Sequence, residues 1–366
     1  MDRAQKLTFP KTDQNDFYYQ LKRRIKPLML LNERKASILT VVQTILFPSV
    51  YIVAYCLLLK FGKSLPWFYF FYAMLGIMLP LTVLNIVHDA LHHSLFKNAR
   101  LNHFAVYFLD LMGGNSYVWG KRHVHFHHGY TNIPGWDVDL GRKKIFRLSP
   151  TDKLRPGHRF QHFYMPFVYL LFTFHWVVFR DFKDYFQKSS MFRRRTKVPG
   201  IEYAKLIFFK IFYYGYIIVV PFMYLHIPWH HFLYAFLLLH AFASMITLMI
   251  ILPTHWDEHA EFRLPNKKGQ MKENWALHQL ITTNDYATKQ PVINFILGGL
   301  NHHIAHHLFP SVNHNYLPAI TKEVVKITKE QSLPYKCFSF GGALCSHFRL
   351  LRKNGFDKNI LNEDML

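Results

Sequence analysis

Cysteine is almost missing from this chain: Cys56, Cys337 and Cys345 are the three in 366 residues, and no two form a Cys-x-x-Cys pair. A disulfide framework and a cysteine-based metal site are thereby excluded. Acidic residues are also scarce, 22 against 44 Lys and Arg, so the formal net charge is +22 with histidine neutral. No His-Glu-x-x-His occurs, which removes the usual zinc-protease signature. There is no tandem repeat, low-complexity tract or Gly/Ser linker. Nothing resembles a signal peptide either, because the amino terminus runs through Lys6, Lys11, Lys22, Arg23, Arg24 and Lys26 before the first apolar run. These absences leave a basic arm over residues 1–36 and a single domain over 37–366 as the expected organisation.

What the chain has in quantity is apolar and aromatic side chains, 51% and 17% of residues. Four stretches, 37–61, 66–87, 206–225 and 229–253, are nearly free of charge. Each has about the 20 residues a helix needs to cross ~30 Å of hydrocarbon. Lys60 and Lys210 are the charged exceptions, placed near enough to span ends for their ammonium groups to snorkel. Pairing the four spans gives two helical hairpins. The run 163–179 is apolar but short, and its flanking His158, Arg159, His162, Arg180 and Lys183 suit a helix lying in the interface. Basic residues gather in the arm, in 191–197 and towards the carboxy terminus, whereas the hairpin turns carry Lys63 alone. The positive-inside rule then puts both termini and the central segment in the cytoplasm. The expected fold class is therefore an all-α integral membrane protein, two transmembrane hairpins with a cytoplasmic histidine-rich cap and interfacial helices. So apolar a chain is not expected to bind nucleic acid.

Twenty-four histidines are the second abundance. Three groups stand out: His88, His92 and His93; His123, His127 and His128; His303, His306 and His307. Helical spacings i, i+3 and i+4 place ring nitrogens on one face, so each group can aim two or three imidazoles at one spot. His125 and His302 fall off those faces and are set aside. Imidazole suits iron, copper, nickel and zinc alike, so the ligand type alone leaves the metal open. Several groups together exceed what a single four-coordinate zinc takes.

The spacings His-x-x-x-His-His, His-x-x-x-His-His and His-x-x-His-His, the last within Gly298-Gly299-Leu300-Asn301-His302-His303-Ile304-Ala305-His306-His307-Leu308-Phe309-Pro310, resemble the membrane fatty acid desaturase superfamily. The likeness is strongest to its linoleoyl-CoA or front-end branch. It extends to Trp119, to Gly129-Tyr130-Thr131-Asn132, to Asp137 and Asp139, to His255 with Glu258 and Glu261, and to Trp275, Gln279, Thr282 and Thr283. It reaches Leu333-Pro334-Tyr335 and Ser346-His347, so it covers almost the whole chain. The resemblance implies two iron ions held by His88, His92, His93, His123, His127, His128, His303, His306 and His307, with His255 as a further ligand. It also implies O2 as co-substrate and a fatty acyl substrate that gains a cis double bond. Many front-end members carry glutamine where this chain has His303, a departure towards the all-histidine pattern. The chain lacks the His-Pro-Gly-Gly of a fused haem domain. Electrons are thus expected from a separate carrier of the ferredoxin or cytochrome-b type.

Two rival functions share part of this reading. A diiron lipid hydroxylase would begin with the same hydrogen abstraction. A membrane metal transporter would place polar residues at the bilayer midplane, whereas these histidines lie past the span ends. Asp89 and Asp137 either accept a histidine N–H or serve as interfacial charges, and Asp137, Asp139 and Asn132 alternatively orient a head group. Trp119, Trp136, Trp256 and Trp275 fit an acyl tunnel or an interfacial belt equally.

Overall fold

Long uncharged runs can satisfy their backbone in a bilayer only as helices, and helices dominate the computed structural model, which describes residues 7–13, 16–140 and 144–356. Four are long and apolar enough to cross a membrane: Phe17–Phe61, Leu65–Leu91, Gly200–Leu225 and Trp229–His255. They contain the four expected spans, and each runs past its expected bounds, the first by the most. The first helix begins at Phe17, so most of the basic arm is helical; Lys6 and the chain beyond 356 lie outside the described residues.

Contacts divide the chain into two compact units. The span unit comprises Ile38–Val124 and Pro166–Met249. Here Gly76 lies so close to the neighbouring span that an added Cβ would sit 2.3 Å from Leu239 O. Small residues permit such backbone approach, and apolar helices in lipid associate largely through it. A widened π-helical turn at Gly215–Val219 interrupts the third span. Its carbonyls are taken up by tyrosines: Tyr55 Oη donates to Tyr216 O at 2.7 Å and Tyr72 Oη to Ile217 O at 2.6 Å.

Lys210 does not snorkel. It is 3% exposed, and its Nζ donates to Gly113 O and Val177 O, each at 2.6 Å, and to Asp181 Oδ2 at 2.8 Å. Three acceptors replace the water it gives up, which is why a charge within an apolar helix turns inward here. The short run 163–179 is broken: helical segments Pro156–Tyr169 and Phe172–Arg195 meet at 72°. Pro166 lies within the first. The second begins where Thr173 N donates to Ser244 Oγ at 2.9 Å, which satisfies an amide that has no partner in its own helix.

The second unit gathers the chain up to Ser37, His125–Met165 and Ile250 onward. Its helices are short: Trp275–Thr282, Pro291–Ile296, His303–Leu308, Leu317–Glu330 and Phe340–Phe356. Asn274 caps the first by accepting Leu277 N–H at 2.9 Å. Leu317, Ile320, Val324 and Ile327 recur at helical spacing and pack on Leu280, Ile304 and Leu308, with Leu21 and Ile25 of the first long helix. That core fixes the helix carrying the third histidine group. A parallel strand pair, Asp285–Tyr286 with Cys337–Phe338, ties its loops together.

Candidate metal centre

Each histidine group lies at a helix irregularity. A π-helical turn at Val83–Val87 runs directly into His88, and a second π-helical turn, Lys121–His127, carries the middle group. Such turns shift the phase of everything that follows them and often occur at functional sites. The third group opens a helix after Gly298 and Gly299, both with positive φ (58° and 64°). At Gly299 a Cβ would meet His314 O at 2.8 Å, so only glycine allows the chain to enter there.

The sequence groups are not the spatial groups. In the second unit His127, His255, His303 and His307 present nitrogens that all lie within 4.8 Å of one another, every ring buried. His255 Nε2 is 3.0 Å from His127 Nε2 and 2.7 Å from His303 Nε2, and His307 Nε2 is 3.1 Å from His303 Nε2. In the span unit His88, His92 and His123 bring their nitrogens within 4.8 Å of one another, with all three ring centroids 5.0 Å apart. Trp119 stacks on His123 at 5.5 Å. The middle sequence group is thus split, His123 to one set and His127 to the other. His128 and His306 face each other in the second unit with Nε2 atoms 3.1 Å apart.

His93 stands outside these sets, exposed and with φ 57° at the end of its helix. A backbone turning left-handed there swings its ring away from His92, which is buried. His125 is exposed, and the buried His302 turns its Nδ1 to Thr321 Oγ1 at 3.0 Å, so neither joins a set.

The outer nitrogens decide what the inner ones can do. His127 Nδ1 faces Asp137 Oδ2 at 3.2 Å, His303 Nδ1 faces Leu300 O at 3.2 Å, and His307 Nδ1 faces Gln279 Oε1 at 2.8 Å. His255 Nδ1 lies 3.5 Å from Thr282 O. Each partner is an acceptor, so each Nδ1 carries the proton and each Nε2 turns a lone pair inward. Lone pairs 2.7–3.1 Å apart repel and cannot bond to one another; a cation between them resolves the conflict. A metal–nitrogen bond of about 2.0–2.1 Å places ligands at right angles ~2.9 Å apart, and tetrahedral ligands ~3.4 Å apart. The observed spacing fits the former. The imidazole donors fit a metal in charge state as well. Burial, followed by the neighbouring His303, His255, His127 and His306 rings, holds the His307 pKa well below the ordinary histidine value, which keeps the ring neutral and able to ligate. His127 differs: burial opposes its charged form, but the Asp137 carboxylate overrides this and raises its pKa.

Other residues hold the rings in place, and the histidine pattern did not signal their roles. Gln279 Nε2 donates to His128 O at 3.3 Å, which orients the amide so that Oε1 meets His307. Thr131 Oγ1 lies 2.8 Å from both His127 O and Gln279 Oε1. Asn132, fully buried with φ 55°, donates from Nδ2 to His255 O at 2.9 Å and accepts Trp256 Nε1–H at 3.1 Å. His347 turns its Nδ1 to Trp256 O at 2.7 Å, fixing the residue after His255.

Four membrane-length helices and buried imidazole sets that suit a metal place the chain in the class of histidine-rich integral membrane proteins. The matching sequence model is that described as fatty acid desaturase, over residues 64–339, and the chain belongs to that family. It resembles the sn-1 linoleoyl-lipid 6-desaturase of Synechocystis sp., 29% identical over 77% of this chain and 79% of the relative. The enzyme of the same name from Arthrospira platensis is 30% identical over 74% and 73%. The acyl-lipid (8-3)-desaturase of Physcomitrium patens is 29% identical over 95% and 74%. These relatives put the chain in the front-end branch despite His303, and it is an oxidoreductase, a fatty acid desaturase.

Proposed function

We propose that this desaturase uses O2 and two iron ions to introduce a cis double bond into an acyl chain carried on a membrane lipid. The inward-facing Nε2 atoms of His127, His255, His303 and His307 carry the metal reading, and the named substrates of the relatives favour a lipid-borne acyl chain. In this reading that set holds one ion, and His88, His92 and His123 supply ligands to the second; His128 and His306 remain candidate ligands within the second unit. Bound iron would supply the O2-dependent removal of two hydrogens from neighbouring methylenes. The protein's own part is to keep each Nδ1 protonated outward, each Nε2 open, and the rings buried from bulk water.

Electrons come from a separate carrier of the ferredoxin or cytochrome-b type. Both termini and the site face the cytoplasm, in keeping with the basic arm and the basic 191–197 segment. Residues 37–366 act as one catalytic domain behind that arm. Fatty acid methyl ester profiling of a host expressing the chain tests the activity, beside His306→Ala and His307→Ala controls and with lipid and thioester pools separated. A new acyl species two hydrogens lighter, found first in the lipid pool and lost in the controls, supports the proposal. A species heavier by one oxygen makes the enzyme a hydroxylase instead.

A further inference from the structure

We infer that Asp137 is a positioning residue that makes His127 the strongest electron donor among His127, His255, His303 and His307, an inference that rests on the reading of these rings as metal ligands. Three of the four rings lean on neutral oxygens: Leu300 O, Gln279 Oε1 and Thr282 O. The fourth leans on a carboxylate. Asp137 is fully buried, and three N–H groups fix its orientation: His127 Nδ1 at 3.2 Å, Asn132 N at 3.0 Å and Asp139 N at 2.9 Å. Two of these are backbone amides, which hold the carboxylate without a countercharge. Among the described residues no Lys or Arg forms an ion pair with it.

An anion on Nδ1–H draws that proton outward and pushes electron density to Nε2, strengthening its bond to a cation. It also places a negative charge beside the four imidazoles, so that a metal ion buried there is partly compensated. Both effects favour the more highly charged state of a bound metal. The loop is built for the purpose: Asn132, whose amide fixes Asp137, uses its side chain to hold His255 O. One turn therefore seats the anion behind one ligand and the backbone of another.

The test uses the purified full chain in detergent, titrated anaerobically with Fe(II) alone, with iron affinity and the midpoint potential of bound iron as readouts. Asp137→Asn is expected to bind iron about 10–100-fold more weakly, with a raised potential, and Asp137→Glu to recover most of both. Gln279→Glu, which puts an anion behind His307, is expected to lower the potential. Wild-type affinity and potential in Asp137→Asn overturn the inference, as does a potential in Gln279→Glu that fails to fall. An Asp137→Asn chain that cannot fold even without metal makes Asp137 a scaffold residue and overturns it too. Wild-type protein that binds no iron removes the metal reading itself, a separate result.

Discussion

Gln279 meets His307 through a single oriented amide: Oε1 accepts from Nδ1 at 2.8 Å while Nε2 donates to His128 O at 3.3 Å. Two histidines of different sequence groups are thereby tied to one side chain. Gln279→Leu keeps the volume and removes both bonds. It is expected to reduce iron retention about 10-fold or more, read as iron per protein after dialysis, with the apo protein still folded.

Among the histidines, position rather than motif membership is expected to sort the variants. His255→Ala removes a nitrogen that faces both His127 and His303, so metal retention and desaturation should be lost together. His93→Ala changes an exposed ring outside both sets and should keep product formation within about 2-fold of wild type. Parallel product profiles and metal analysis decide it, and loss of iron in His93→Ala would contradict the assignment.

Lys210 and Asp181 form an ion pair with both side chains buried. Lys210→Met leaves the carboxylate uncompensated, at a cost of about 3–5 kcal/mol. Adding Asp181→Asn should recover part of that loss. Thermal unfolding in detergent of the two single variants and the double variant measures the coupling. Additive single effects would mean that the two residues do not interact.

Gly76→Val forces a side chain into the backbone of the neighbouring span at Leu239 O. The spans must separate, and a loss of about 1–3 kcal/mol is expected from overpacking. A Gly76→Val protein melting at the wild-type temperature would show that the close approach is not required.

Asp110 gives a pH signature. Burial pushes its pKa up to about 7 from 3.8. A raised carboxyl contributes stability that is full below the unfolded value and lost as pH rises towards the folded one. Relative to Asp110→Asn, wild type should therefore weaken by up to roughly 1.4 kcal/mol per pH unit between about pH 4 and 7, then level off. A difference that is flat across this window would place Asp110 outside the coupling.

The spans and the histidines were legible because each rests on composition: an uncharged run of sufficient length has one outcome in a bilayer, and clustered imidazoles are rare. Lys210 was misread because its three acceptors come from Gly113, Val177 and Asp181, far from it in sequence, and a hydropathy pattern carries no trace of them. The splitting of His123 from His127 was hidden for a different reason. The α-helical period puts them on one face, but they sit on a π-helical turn, which no residue pattern announces. The resemblance pointed to Gln279 and Thr131, but their roles and that of Leu300 O were beyond reach because what matters is which atom faces an Nδ1.

The widened turn at Val83–Val87 has a consequence for how this gene can change. One extra residue in a turn advances everything after it by about 100° around the helix axis. His88 and His92 point as they do because that residue is present. Substitutions among Val83, Leu84, Ile86 and Val87 that stay apolar should pass with small effect. Deletion of any one of them would keep composition and hydropathy yet turn both imidazoles onto another side of the helix. Chain length through these five positions is thus under tighter constraint than their identity, and a library of single-codon deletions across 83–87 would be silent in membrane insertion and dead in metal binding.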